Sequence, residues 1–172
     1  MTATAGSGTP EANKELVRTY IEGFWNSGDY SVAERYIAKD AFFHDFVDQP
    51  QPIPQGLAGV KHVYSTFAAA FPGIKMILGE MLAEGDFVTM LWTVKGLQTG
   101  VFQGIPPTYK TIDFTGSTTV RIKDKQIVEG WNHMDILRGL MQLGVMPSGP
   151  LPAPMRWWLA FQGKREKRRR GL

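Results

Sequence analysis

Residues 111–135 read TIDFTGSTTVRIKDKQIVEGWNHMD, and how this stretch is divided decides the fold. Thr111 to Ile122 is dense in β-branched residues and alternates apolar with polar side chains, as a half-buried strand does. Asp124-Lys125 is a two-residue turn, and Gln126 to Asp135 returns as the partner strand of a hairpin. A symmetric turn pairs residues whose numbers sum to 249, so Asp135 falls opposite Phe114 and Trp131 opposite Thr118. Side chains alternate between the two faces of a strand. Ile127, Glu129, Trp131, His133 and Asp135 are therefore expected on one face, together with Phe114, Thr118, Val120 and Ile122.

Upstream, Ile74 to Ala83 and Phe87 to Val94 flank a turn at Glu84-Gly85-Asp86 and form an earlier hairpin, joined to the first by the loop Gly100 to Lys110. Before Pro72-Gly73 the period changes. Leu57, Val60, Tyr64, Phe67, Ala68 and Phe71 recur at helical spacing, as do Leu16, Val17, Tyr20, Ile21, Phe24 and Trp25 ahead of the turn formers Asn26-Ser27-Gly28-Asp29. Ser31 and Glu34 have the spacing of a capping box, so a short helix is expected to carry Val32, Tyr36 and Ile37 inward. Ala41 to His44 reads as a brief strand, and Asp45 to Gly56, with its three prolines, as a loop. Beyond the hairpin, Ile136 to Leu143 is a short helix stopped by Gly144. Helices first and a four-stranded antiparallel meander afterwards predict an α+β fold, a curved, mainly antiparallel sheet wrapped around helices and shaped as a cone with an internal pocket.

A chain of 172 residues with 43% hydrophobic and 20% charged residues supports one domain with a real core. The expected organisation is a disordered start over 1–10, the domain over 11–146, a Pro/Gly-rich linker over 147–155 and an aromatic, basic tail over 156–172. The absence of cysteine removes disulfides, thiolate metal sites and thiol nucleophiles. No secretory signal pattern opens the sequence and no run of about 18 apolar residues occurs, so a cytoplasmic location is expected. Residues 156–172 hold seven basic side chains and one acidic, a net of +6, which leaves −3 of the chain's overall +3 for residues 1–155. A mildly acidic folded part does not grip nucleic acid, and none is expected as a partner.

Two readings of Asp135 stand side by side. A carboxylate against apolar walls loses hydration, its pKa rises, and it can exchange protons with a weak carbon acid. Alternatively it caps the helix Ile136 to Leu143, a position that favours Asp. His133 could orient Asp135 or polarise a carbonyl, or be an ordinary half-exposed histidine. His44 and His62 lack metal-ligand spacing with each other or with His133, so no metal is expected. No Gly-rich phosphate loop and no Gly-x-Ser-x-Gly elbow is present, so neither a nucleotide cofactor nor a serine nucleophile is indicated.

Several segments carry a resemblance. Phe24-Trp25-Asn26-Ser27-Gly28-Asp29, Phe43-His44-Asp45, Phe71-Pro72-Gly73, Ala83-Glu84-Gly85-Asp86 and Gly104-Ile105-Pro106-Pro107-Thr108 look like successive signposts of the SnoaL-like polyketide and ester cyclases, within the nuclear transport factor 2 superfamily. The most specific is Ile127-Val128-Glu129-Gly130-Trp131-Asn132-His133-Met134-Asp135, followed by Leu143-Gly144. The resemblance covers about Asn13 to Pro147. It implies a cofactor-free intramolecular aldol-type closure of a hydrophobic carbonyl compound, with Asp135 as general acid/base. Gln98 stands where many relatives have a histidine and would donate a hydrogen bond to a carbonyl or enolate oxygen; Tyr109 stands where they have a glycine. Asp135, Gln98 and His133 are thus the expected catalytic set. Trp131, Phe114, Thr118, His44, Tyr20, Phe24 and Tyr64 are expected to line the substrate pocket, and the exposed sheet face to form a homodimer. A non-catalytic pocket protein, or an isomerase or hydratase using the same carboxylate, is the alternative. Finally, Trp157, Trp158, Leu159 and Phe161 precede the basic run Lys164 to Arg170. Such a tail either contacts an anionic membrane or an acidic partner, or is a solvated basic tail with its aromatic residues docked on the domain.

Overall fold

Thr9 accepts a hydrogen bond from the Ala12 N–H at 3.2 Å and Pro10 occupies the first turn, so helix α1 (Pro10–Tyr20) begins here, within the stretch expected to be disordered. The computed structural model describes residues 8–46, 53–147 and 149–171; residues 1–7 of that expected disordered start, and 47–52 of the proline-containing loop, lie outside the described residues. After Tyr20 the helix widens into a π-helical turn, Ile21–Trp25, closed by the Asn26 N–H donating to the Ile21 carbonyl at 3.0 Å. The extra residue in the turn lets Phe24 be fully buried while Trp25 still reaches the interior. The Asn26 side chain then mimics a strand. Its amide accepts from the Met76 N–H at 2.8 Å and donates to the Met76 carbonyl at 2.9 Å, which fastens the helix to the sheet.

Helix α2 (Tyr30–Tyr36) is capped by Asp29, whose carboxylate accepts from the Ser31 N–H at 2.9 Å, rather than by the Ser31–Glu34 box expected from spacing. Strand β1 (Ile37–Phe43) follows directly and starts four residues earlier than its apolar content suggested. A short 3-10 turn, His44–Phe46, leads away from it. Helix α3 (Gly56–Ala70) is next, then β2 (Lys75–Glu84), β3 (Phe87–Leu97), β4 (Thr111–Lys123), β5 (Gln126–Met134) and helix α4 (Ile136–Leu143). Gly144, at φ 81°, supplies the left-handed residue that ends α4.

The strands form one open sheet in the order β1-β5-β4-β3-β2. The expected antiparallel meander is there over β2 to β5, and β1 adds a parallel edge beside β5, so the sheet is mixed. Val17, Ile21, Phe24, Phe71, Val88, Ile112, Ile122 and Ile127 are fully buried between the helices and the inner face of the sheet. Burial of each such side chain contributes about 1.5–3 kcal/mol before entropy is counted.

The register of β4 and β5 differs from the symmetric one. Asp124 and Lys125 both have positive φ, 51° and 62°, as a type I′ turn requires, and Lys123 pairs with Gln126 and Ile122 with Ile127 as expected. Arg121, however, pairs with Glu129, so Val128 is an inserted residue, a β-bulge. Past it the register is Val120 with Gly130, Thr118 with Asn132 and Gly116 with Met134. Every residue of β5 beyond Val128 therefore faces opposite to the sequence expectation.

The last element among the described residues is helix α5 (Ala153–Arg169), which begins inside the expected linker and buries no side chain. Its aromatic residues are exposed, not docked on the domain. No described helix is long and apolar enough to cross a membrane.

Candidate functional site

Helices α1 and α3, the π-helical turn and the concave face of the sheet enclose a cavity of about 100 Å³. That is the scale of cavities that accept a single aromatic ring. Its walls are almost wholly apolar, with Val17, Trp25, Val60, Phe67, Met90, Trp92, Phe114 and Val120 among them. Three polar side chains interrupt the lining at one place: Asp45, Thr118 and Asn132. Asp45 is the one carboxylate among the described lining residues.

These groups form an ordered chain of hydrogen bonds. The Trp92 indole N–H donates to Thr118 Oγ1 at 2.9 Å, and the Thr118 hydroxyl donates to Asn132 Oδ1 at 2.8 Å. The Asn132 side chain in turn bonds Asp45. An indole nitrogen can only donate, so Thr118 must use its lone pair toward Trp92 and its proton toward Asn132. The Asn132 carbonyl is thereby held toward Thr118 and its NH₂ toward Asp45. One donor-only side chain thus sets the direction of the whole relay and aims it at the carboxylate.

Local structure makes the relay possible. Gly116 pairs with Trp92 across β3 and β4, and a Cβ at Gly116 would come within 2.3 Å of the Trp92 ring. The missing side chain is what lets the indole lie along the inner face toward Thr118. Asp45 is held by the turn after β1, where Gln55 clamps the strand end. Its Oε1 accepts from the Phe43 N–H at 2.7 Å and its Nε2 donates to the Phe43 carbonyl at 3.2 Å.

Burial raises the Asp45 pKa above its ordinary 3.8, because desolvation penalises the charged form. Hydrogen bonds from its own backbone N–H and from Asn132, and the charges of His133 and His44, oppose that rise without cancelling it. Elsewhere in the lining burial drives the Tyr20 phenol far up, against a smaller opposing effect of the hydrogen bond from Trp25 Nε1 at 3.0 Å. Tyr20 is a neutral hydroxyl at any ordinary pH.

The expected site residues are distributed as follows. Phe114, Thr118 and Tyr20 line the cavity. Phe24 and Tyr64 sit beside it in an aromatic cluster, 4.7 Å apart between ring centres, and form its support rather than its surface. The bulge at Val128 turns Trp131, His133 and Asp135 to the outer face, which corrects their expected place beside Phe114 and Thr118. Trp131 stacks on His44 at 4.7 Å, and His44 bonds Glu129 at 2.9 Å, so both belong to an outer cluster completed by the Arg121–Glu129 ion pair. Asp135 is exposed and accepts the Arg138 N–H at 3.0 Å, capping α4, while His133 and Asp135 flank an open groove on the outer face with Ile77, Leu91, Thr93 and Ser117.

Gln98 is fully buried but does not reach the cavity. Its Nε2 donates to the carbonyls of Gly100, Ile105 and Pro106, and its Oε1 accepts from the N–H and the hydroxyl of Thr108. It ties the β3–β4 loop together and has no hydrogen-bonding capacity left for a substrate. Sequence reasoning passed over Asp45, Asn132 and Trp92. Asp45 lies in a quoted segment, yet nothing in the spacing marked Val128 as the inserted residue that brings Asn132 inward.

A family model described as SnoaL-like polyketide cyclase matches residues 14–143. Among solved structures the chain is similar to IdmH from Streptomyces antibioticus, described as a candidate polyketide cyclase, at 28% identity and TM-score 0.68, over 77% of this chain and 98% of that one. It is also similar to TsrD from Streptomyces laurentii (20% identity, TM-score 0.72, 81% and 100% covered). AclR from Streptomyces galilaeus, described as a candidate hydroxylase, matches at 21% identity and TM-score 0.69, with 94% and 98% covered. The last two likenesses carry the fold alone. No protein of curated function matches the chain.

Proposed function

The chain belongs to the SnoaL-like polyketide cyclase family, and we propose that it performs cofactor-independent acid/base chemistry, an aldol-type ring closure, on a hydrophobic carbonyl compound whose reacting end enters the internal cavity. The observation that carries this reading is a poorly hydrated carboxylate, Asp45, the one among the described lining residues, facing an apolar enclosure and oriented by Asn132. In the proposed step Asp45 takes a proton from a carbon flanked by carbonyl groups. The enolate carbon then bonds to a second carbonyl carbon of the same molecule, and the resulting alkoxide recovers the proton from Asp45. No net proton or electron is consumed. The walls hold the two reacting carbons together, and such positioning supplies much of the acceleration of an intramolecular step. At about 100 Å³ the cavity accepts one ring or the end of a longer chain, not a multi-ring skeleton.

A second reading keeps Asp135 as the acid/base, in the outer groove with His133; the shared groove lining favours it. The two are separated by following solvent deuterium incorporation into the acidic CH₂ of a small β-diketone, which detects proton removal without knowledge of the natural substrate. Asp45→Asn is expected to lower the exchange rate about 10²-fold or more, and Asp135→Asn to leave it near wild type. Exchange that survives in Asp45→Asn and disappears in Asp135→Asn overturns the internal site. Binding of the diketone with no exchange above buffer by any variant points to a non-catalytic pocket protein and overturns the enzyme reading.

A further inference from the structure

The α5 helix, Ala153–Arg169, has a composition and a placement that the cavity does not explain. It spans about 26 Å at 1.5 Å per residue and buries none of its side chains. Trp157 is 81% and Trp158 58% exposed, with Met155, Leu159 and Phe161 exposed beside them. Aromatic side chains of this size lose more by standing in water than any other residue type. The basic residues follow in a block, Lys164, Arg165, Lys167, Arg168, Arg169 and Arg170, against one acid, Glu166, which pairs with Arg170 at 2.7 Å. Cations in the last turn complement the helix dipole, which accounts for three of them at most and for no tryptophan.

The arrangement discriminates between partners. A protein groove takes one face of a helix and reads anchors at i, i+3 or i+4, and i+7. Here the apolar residues from Met155 to Phe161 step around the whole circumference within two turns, and the basic residues do the same over the next two. The segregation runs along the axis, not across it. A bilayer interface suits that order, because hydrocarbon accepts every side of the first half while phosphates meet every side of the second. Tryptophan is favoured at that boundary, and Arg156, the one charge in the apolar half, can extend its head to the surface. The chain from Gly139 to Met155 carries no charge at all, so the connection can approach the same boundary without burying one.

We propose that α5 is a peripheral anchor that seats Trp157, Trp158 and Phe161 at the hydrocarbon boundary of an anionic bilayer and Lys164 to Arg170 at its phosphates. The test uses the full chain in co-flotation with vesicles of phosphatidylcholine alone and of phosphatidylcholine mixed equally with phosphatidylserine. The protein is expected to float with the mixed vesicles only. Replacing Arg168, Arg169 and Arg170 together by Gln is expected to weaken binding about 10²-fold, at roughly a factor of five per charge. The triple change Trp157→Ala, Trp158→Ala, Phe161→Ala is expected to abolish the binding that persists at high salt. Unchanged melting of both variants checks that the domain is intact. Failure to float with mixed vesicles overturns the proposal, as does binding to polyglutamate or RNA in its place. Binding lost with the arginines but indifferent to the aromatic residues also overturns it, since that is adsorption without an anchor.

Discussion

Thr118→Val is the sharpest test of the relay. The substitution is nearly isosteric, so it opens no cavity, but it removes both the acceptor of the Trp92 indole N–H and the donor to Asn132 Oδ1. Each lost neutral hydrogen bond costs about 1 kcal/mol net, and an indole nitrogen left unpaired in a dry wall costs about 1–3 kcal/mol on desolvation grounds. Trp92 is only 4% exposed, so water does not easily replace the lost partner. Together with the small apolar gain of a second methyl, the expected destabilisation is about 2–4 kcal/mol. Thr118→Ser keeps both hydrogen bonds and deletes one methyl, which costs about 0.8 kcal/mol. Urea unfolding followed by circular dichroism measures both variants, with equal m-values as the check that the same surface unfolds. The functional readout moves with it, because without the Thr118 proton the Asn132 amide is free to turn. Deuterium exchange into the β-diketone should therefore fall in Thr118→Val and persist in Thr118→Ser. If the valine variant lies within about 0.5 kcal/mol of the serine variant, the relay does not exist as described.

Three further outcomes are expected. Burial raises the Asp45 pKa, so its ionised form costs folded-state stability that is absent below the unfolded value near 3.8 and grows as pH rises through the folded value. Asp45→Asn should thus melt higher than wild type at neutral pH, with the gain vanishing in acid, while wild-type exchange activity rises as pH passes through the same raised pKa; a pH-independent difference in melting refutes the assignment. Asp135→Ala removes the cap of α4 and should cost about 1 kcal/mol in urea unfolding with little change in exchange rate. The outer sheet face exposes Ile77, Leu82 and Leu91; if two copies pair through it, Leu91→Lys yields a monomer by analytical ultracentrifugation, and an unchanged mass removes that face from the interface.

The architecture was legible because period and punctuation agree locally over most of the chain. Leu57, Val60, Tyr64 and Phe67 announce α3, and Pro72-Gly73 ends it; Glu84-Gly85-Asp86 and Asp124-Lys125 are the two hairpin turns. Where the reading slipped, nonlocal contacts decided. β1 begins at Ile37, in a stretch with two charged residues, because pairing with Ile127 of β5 completes the sheet edge. Gln98 reads as a stand-in for a polar catalytic group, but five hydrogen bonds inside its own loop hold it, and no spacing rule anticipates a partner set drawn from Gly100 to Thr108. The long helix α5 went unforeseen because its apolar residues follow no face and its first turn lies in a proline-rich segment, where Pro154 is nevertheless well placed for a helix start.

The position of Asp135 shows what alternation alone omits. A period of two is silent about an inserted residue, so two registers of β5 were open, one with Trp131, His133 and Asp135 inward and one with Gly130, Asn132 and Met134 inward. Their costs differ. The first sets an imidazole and a carboxylate against Phe114 and Val120, and burying ionisable groups without full pairing costs several kcal/mol. The second buries one neutral amide whose carbonyl meets Thr118 and whose NH₂ meets Asp45, places a glycine where the Phe43 ring must lie, and leaves the ionisable pair in water. Against that difference a bulge, which leaves one residue unpaired in the ladder at Val128, is a small cost. The polarity of alternate residues in Trp131-Asn132-His133-Met134-Asp135 therefore favours the bulged register, which turns Asn132 toward Thr118 and Asp45 and leaves His133 and Asp135 on the outer face.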